Sequence, residues 1–180
     1  MKILKKIYDK SNGILLIISS VLFVIFMATV LPYVSYWTEV VKELPAGPDT
    51  LFTWNINEYY SVRQTFGEEG RSLYIILRWT FDVVWPMVYT FFYFIAISFL
   101  AKKTKDSIGY KWLLIPVFAV VFDFAENTMA TIFMAMFPSS SDVVVRLLIV
   151  SSNAKWAFVG LSFVVIIYLG IKWVVKSLAK

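Results

Sequence analysis

Asp123, Glu126 and Asn127 stand inside an otherwise apolar run, Trp112–Phe137, at spacings of i, i+3 and i+4. A helix places all three on one face. A run of this length can cross a bilayer, which takes about 20 residues at about 1.5 Å each. Ionised side chains inside a span are costly, so intramembrane acids point by default to handling a proton, a cation or a ligand. The run Leu73–Ala101 carries Arg78 and Asp82 at i, i+4, followed by Pro86, Tyr89 and Tyr93. The run from Val143 to about Ile171 carries Ser151, Ser152, Asn153 and Lys155.

Depth links these groups. Counted along the helical rise, Asp82 lies about 10–15 Å from the start of its run. Asp123 and Glu126 lie about 18–23 Å from the start of theirs, and Lys155 is a similar distance into the last run as Asp82 is into its own. Successive spans run in opposite directions, so all four fall in one layer, while the other half of the spans carries almost no charge. Asp82, Asp123 and Glu126 are therefore the candidate catalytic or cation-binding acids. Desolvated carboxyls in general hold protons more tightly, which suits acid–base work near neutral pH. Asn127 and Tyr89 are candidates to orient a ligand, Arg78 to contribute nearer the surface, and Lys155 to balance charge. The competing reading is a structural ion-pair cluster, since polar groups also glue spans together.

The rest of the chain must position that layer. Of the 180 residues, 59% are hydrophobic, 18% aromatic and only 16% charged. Soluble domains carry about 25% charged residues. The sequence therefore reads as an all-α integral membrane protein of one domain, 1–180, a four-helix transmembrane bundle. The spans fall at about 13–35, 73–101, 112–137 and 143–171, with a long loop, 36–72, between the first two. A signal peptide is the rival reading of 13–35, but the apolar run is long for one. The loop is acidic and rich in Tyr and Trp, which suits short interfacial helices over the outer mouth of the bundle. Pro86 removes the bond to the Asp82 carbonyl and predicts a kink there. The Met and aromatic residues of the first span read as lipid-facing packing, and the Ser-rich turn after Pro138 as a cap for the last span.

Composition also excludes chemistry. With no Cys and no His, thiol nucleophiles, disulfides, haem ligation, the usual zinc sites and imidazole catalysis are all ruled out. No cofactor is expected. The one metal option is a hard divalent cation on the oxygens of Asp82, Asp123, Glu126 and Asn127. No phosphate loop, nucleophile elbow or metalloprotease helix is present, nor a GxxxG stripe. The net charge of +5 comes from lysines clustered at the N-terminus, over 102–111, and at Lys172, Lys176 and Lys180. Their place beside the spans fits the positive-inside rule and gives no case for a nucleic acid partner. It predicts a multi-pass protein of the cell membrane with both termini cytoplasmic.

Four motifs carry a resemblance: Gly67-x-x-Gly70-Arg71-x-x-Tyr74, Asp82-x-x-x-Pro86-x-x-Tyr89, Asp123-x-x-Glu126-Asn127 and Lys155-Trp156. Together they resemble a group of small uncharacterised bacterial four-span membrane proteins, which implies no activity. The long first loop, the Asp82, Pro86, Tyr89 series, and Lys111-Trp112 with Pro116 are more distantly similar to the EXPERA family of sterol isomerases and the sigma-2 receptor. That resemblance implies a four- or five-span bundle with an acid-lined intramembrane pocket for sterols or amphipathic amines. The absence of His, and Lys155 without a counterpart, take sterol isomerisation out of what it implies.

The function expected is binding of a lipid-like or amphipathic, cationic small molecule in an outward-facing pocket. Conversion of that molecule follows where one carboxyl works as acid or base. The alternatives are a proton or cation transporter or channel subunit using the same acids, and a structural or regulatory subunit of a membrane complex. The expected partners are a membrane lipid or amphipathic small molecule and the lipid bilayer itself.

Overall fold

The computed structural model describes residues 1–179; Lys180 lies outside the described residues. The chain is all-α, with no strand among the described residues. Among the described residues, four helical stretches are long and apolar enough to cross a membrane: Gly13–Val41, Gly67–Thr104, Gly109–Ala135 and Asp142–Leu178. The protein is a multi-pass membrane protein built as a helical bundle.

The chain begins with α1 (Lys2–Lys10), and Asn12 then caps α2 (Gly13–Ile25) by accepting from the Leu15 amide at 2.9 Å. The first span does not stop near residue 35. It continues through a π turn at Phe26–Val30, α3 (Leu31–Tyr36) and a second π turn at Trp37–Val41. Pro32 follows the first π turn inside this continuous helix, where its missing amide hydrogen leaves a carbonyl of the preceding turn without its helical donor. The loop is accordingly shorter than predicted. It holds one turn of 3-10 helix, Pro48–Thr50, and α4 (Ile56–Thr65). Helix α4 lies on the bundle and buries Tyr59 and Arg63. Gly67, at φ +63°, makes the corner into α5 (Gly67–Arg78) that a residue with a Cβ would make only under strain.

The second span breaks at Trp79–Thr80, ahead of the proline, and resumes as α6 (Phe81–Thr104). Thr80 leaves the helical region, and its hydroxyl donates back to the Ile76 carbonyl at 2.8 Å. Pro86 produces no interruption of α6. Its one orphaned carbonyl, that of Asp82, is taken up by the Asn127 side chain at 3.1 Å. A 3-10 turn at Gly109–Leu113 leads into α7 (Leu114–Ala135). Ser141 caps α8 (Asp142–Leu178), as the Ser-rich turn predicts.

Helices α7 and α8 form the most extensive pairing, with α6 packed across both and the first span lying on α6. Two apolar clusters hold the bundle. One, around Phe133, Met134, Leu148 and Ile149, lies at the end covered by the loop. The other, around Ile97, Leu113, Val165 and Leu169, lies toward the end that carries both termini. These are called the loop end and the basic end below. The charged layer sits between the two clusters.

Candidate functional site

Tyr74, Arg78 and Asp82 follow one another at four-residue spacing and stay on one face across the break in the span. Arg78 bridges two acids, with Nη1 at 2.7 Å from Asp82 Oδ2 and Nη2 at 2.8 Å from Asp49 Oδ2. Asp49 comes from the loop, on the Pro48–Thr50 turn. Tyr74 donates its hydroxyl to Asp49 Oδ1 at 2.7 Å, and Ser152 Oγ donates to the Asp49 carbonyl at 3.0 Å. Gly47 makes this approach possible: a Cβ there would fall 2.3 Å from Asp49 Oδ1 and 2.9 Å from the Tyr74 ring. Burial pushes the Asp49 carboxyl up, but Arg78, Lys155 and the bonds from Tyr74 and Arg78 outweigh it and hold the group below the usual 3.8.

Across the α7–α8 seam, Lys155 makes an ion pair with Glu126, whose side chain is wholly buried. Asn127 is equally buried and turned into the second span. Its Nδ2 donates to the carbonyls of Arg78 and Asp82 at 3.3 and 3.1 Å, and its Oδ1 accepts from Arg78 Nη1 at 3.4 Å. The amide is thus spent on positioning Arg78 and on the carbonyl that Pro86 frees. Losing such a bond inside the protein costs about 1–3 kcal/mol.

Asp123 differs from its neighbours. Tyr89 donates its hydroxyl to Asp123 Oδ2 at 2.7 Å, and among the described residues no Lys or Arg forms an ion pair with it. It lines a cavity of about 320 Å³, together with Asp49, Arg78, Asp82, Tyr89 and Lys155. The other walls are aromatic and apolar, with Trp85 from the second span and Trp156 and Val159 from the last. Three rings from three spans meet below: Phe23, Tyr93 and Phe163, with centroids 5.1 to 6.3 Å apart. This triangle floors the cavity toward the basic end. On the other side of the Asp49–Arg78–Asp82 bridge lies a second space of about 270 Å³, lined by Ser35, Thr38, Glu39 and Tyr74. Leu31 and the three bridge residues line both spaces, so the bridge is the partition between a vestibule and the deep cavity.

No family model, curated protein or solved structure matches the chain.

The site therefore stands on its geometry. All seven residues singled out by spacing fall in the same layer, but they do not form one constellation. Asp82, Asp123, Arg78, Lys155 and Tyr89 line the cavity, while Glu126 and Asn127 are buried behind its wall. Asn153 bonds back to the Ile149 carbonyl, and Arg146 is exposed. Among the described residues no three acids converge with the spacing of a metal site. Two features were missed by spacing. Asp49 falls in sequence within the acidic loop 36–72, although the Gly47-Pro48-Asp49 triplet signals the tight turn seen at Pro48–Thr50. Phe23 and Met27 read as lipid-facing, yet they wall the cavity, because the first span leans on α6 beside it. Phe52, held at φ +46°, meets the cavity-lining Trp156 at a tilted angle of 56° with ring centroids 6.0 Å apart.

Proposed function

We propose that this protein binds an amphipathic small molecule with a cationic group, seating the cation at Asp123 and the apolar part against the aromatic walls. The observation that carries this reading is the imbalance of charge. Four carboxylates, Asp49, Asp82, Asp123 and Glu126, share one layer with two cations, Arg78 and Lys155. Both cations are engaged: Arg78 by Asp49 and Asp82, Lys155 by Glu126. Among the described residues Asp123 is the one carboxylate of the layer with no Lys or Arg paired to it, and it lines the aromatic-walled cavity. A cation there gains an ion pair beside the aromatic lining of Trp85 and Tyr89.

Tyr89 positions Asp123 through its hydrogen bond, and the Asp123–Tyr89 pair is the place where a proton is taken up or released if the bound molecule is also converted. The aromatic floor supports binding over conduction, since a proton or cation route would have to pass the Phe23, Tyr93 and Phe163 rings. The lysines gathered at one end support an orientation with that end cytoplasmic and the loop end outside.

Trp85 and Trp156, two of the seven tryptophans, line the cavity and contribute a binding-sensitive part of the emission. Dodecyltrimethylammonium, titrated into the protein in nanodiscs, changes tryptophan emission saturably, and dodecyl sulfate does not. In Asp123→Asn the cation's affinity falls at least about tenfold, the equivalent of about 1.4 kcal/mol. Equal responses to the two amphiphiles, or an unchanged affinity in Asp123→Asn, would refute the reading.

A further inference from the structure

The first ten residues are a second feature that the site does not use. Helix α1 has Leu4, Ile7 and Tyr8 on one side and Lys2, Lys5, Lys6 and Lys10 exposed on the other. The apolar side is docked. Leu4, Ile7 and Tyr8 pack on the cluster at the basic end, and the Tyr8 and Tyr110 rings meet edge to face at 6.4 Å. Lys102 donates to the carbonyls of Asp9 and Ser11, fixing the end of the helix to α6. Ser11 Oγ bonds to the Ile7 carbonyl at 2.8 Å and Asn12 caps the next helix, so the elbow into α2 is held on both sides. The lysines are carried on a helix anchored at one level, unlike those of a free tail.

The nearby turn adds charge at that level. Lys103, Lys105 and Lys111 are exposed. Two acids lie among these lysines. Asp106 is taken by Lys172 at 2.6 Å, and Asp9 is exposed. Among the described residues none of Lys2, Lys5, Lys6, Lys10, Lys103, Lys105 or Lys111 forms an ion pair. A set of unpaired cations presented beside the ends of membrane spans complements the phosphates of an anionic lipid surface.

We infer that α1 and the 102–111 turn form a preformed docking surface for anionic phospholipid headgroups, and that docking of α1 on α6, as well as its charge, makes it selective. This inference is independent of the cavity. The test compares melting temperatures in nanodiscs of phosphatidylcholine and of an equimolar mixture with phosphatidylglycerol, with native mass spectrometry of the retained lipids. The wild type melts several degrees higher in the mixture and retains phosphatidylglycerol. Lys2→Gln/Lys5→Gln/Lys6→Gln melts as the wild type does in phosphatidylcholine and loses the gain. Leu4→Ala/Ile7→Ala keeps every charge, frees the helix, and loses most of the gain too. If the wild type shows no gain, there is no anionic-lipid surface. If Leu4→Ala/Ile7→Ala keeps the full gain, charge alone suffices and the preformed surface is wrong.

Discussion

Asp106 and Asp123 are both aspartates held by a ring hydroxyl or indole, one at the basic end of the bundle and one in the charged layer between the two apolar clusters, and they are finished differently. Asp106 lies at the basic end, in the turn between the second and third spans. It accepts from Lys172 Nζ at 2.6 Å, from Trp112 Nε1 at 3.0 Å and from the Ile108 amide at 3.0 Å. Protein groups saturate it, and it ties the last span to the turn. Asp123 accepts a bond from Tyr89 and otherwise faces the cavity. A carboxylate whose partners all come from the chain is a structural knot. One with acceptors left over beside a cavity is the proposed binding group. Glu126 lies away from the cavity, paired through Oε2 with Lys155 inside the α7–α8 seam, while its Oε1 is buried without a protein partner among the described residues.

The division is broken most forcefully at the closed pairs. Lys155→Met leaves Glu126 buried without its cation. Removing one partner of such a pair costs about 3–5 kcal/mol, and Glu126→Gln/Lys155→Met recovers most of it. Guanidinium unfolding followed by tryptophan emission measures both. If Lys155→Met is as stable as the wild type, Glu126 is not held as a closed pair.

A smaller effect belongs to Asp106, and pH sharpens it. Burial pushes this carboxyl up, but the bonds from Lys172, Trp112 and the Ile108 amide, with the Lys172 charge, outweigh it and hold the group below the usual 3.8. A depressed folded value means stability that is complete above the unfolded value and lost as pH falls through the folded one. Asp106→Asn therefore destabilises by about 1–3 kcal/mol near neutral pH, where a bond to a charged group is lost. The difference from the wild type narrows below about pH 4. Melting curves across that range check it, and a gap that widens toward acid would contradict the assignment.

The sequence carried part of this contrast. The spans are legible because length and hydropathy force them, and the shared depth of Asp82, Asp123, Glu126 and Lys155 follows from counting residues along antiparallel helices. Which acid is closed and which is open is not legible. It depends on rotation about each helix axis: Asn127, next to Glu126, turns toward Asp82's freed carbonyl, while Asp123, one turn earlier, turns toward Tyr89. The break at Thr80 instead of Pro86 was hidden for the same reason, since the group that satisfies the Asp82 carbonyl comes from another span. Asp49 was hidden by distance along the chain, lying 29 residues before Arg78 in a loop whose path no local pattern fixes.

The most direct measurement is a thermal melt of Asp123→Asn and Asp106→Asn in nanodiscs, each with and without dodecyltrimethylammonium. With the amphiphile absent, Asp123→Asn melts at or above the wild-type temperature and Asp106→Asn melts below it. With the amphiphile present, the wild type and Asp106→Asn gain several degrees and Asp123→Asn gains none. A sharp loss of stability in Asp123→Asn, with no gain from the amphiphile in any of the three proteins, would make Asp123 another structural knot and contradict the account.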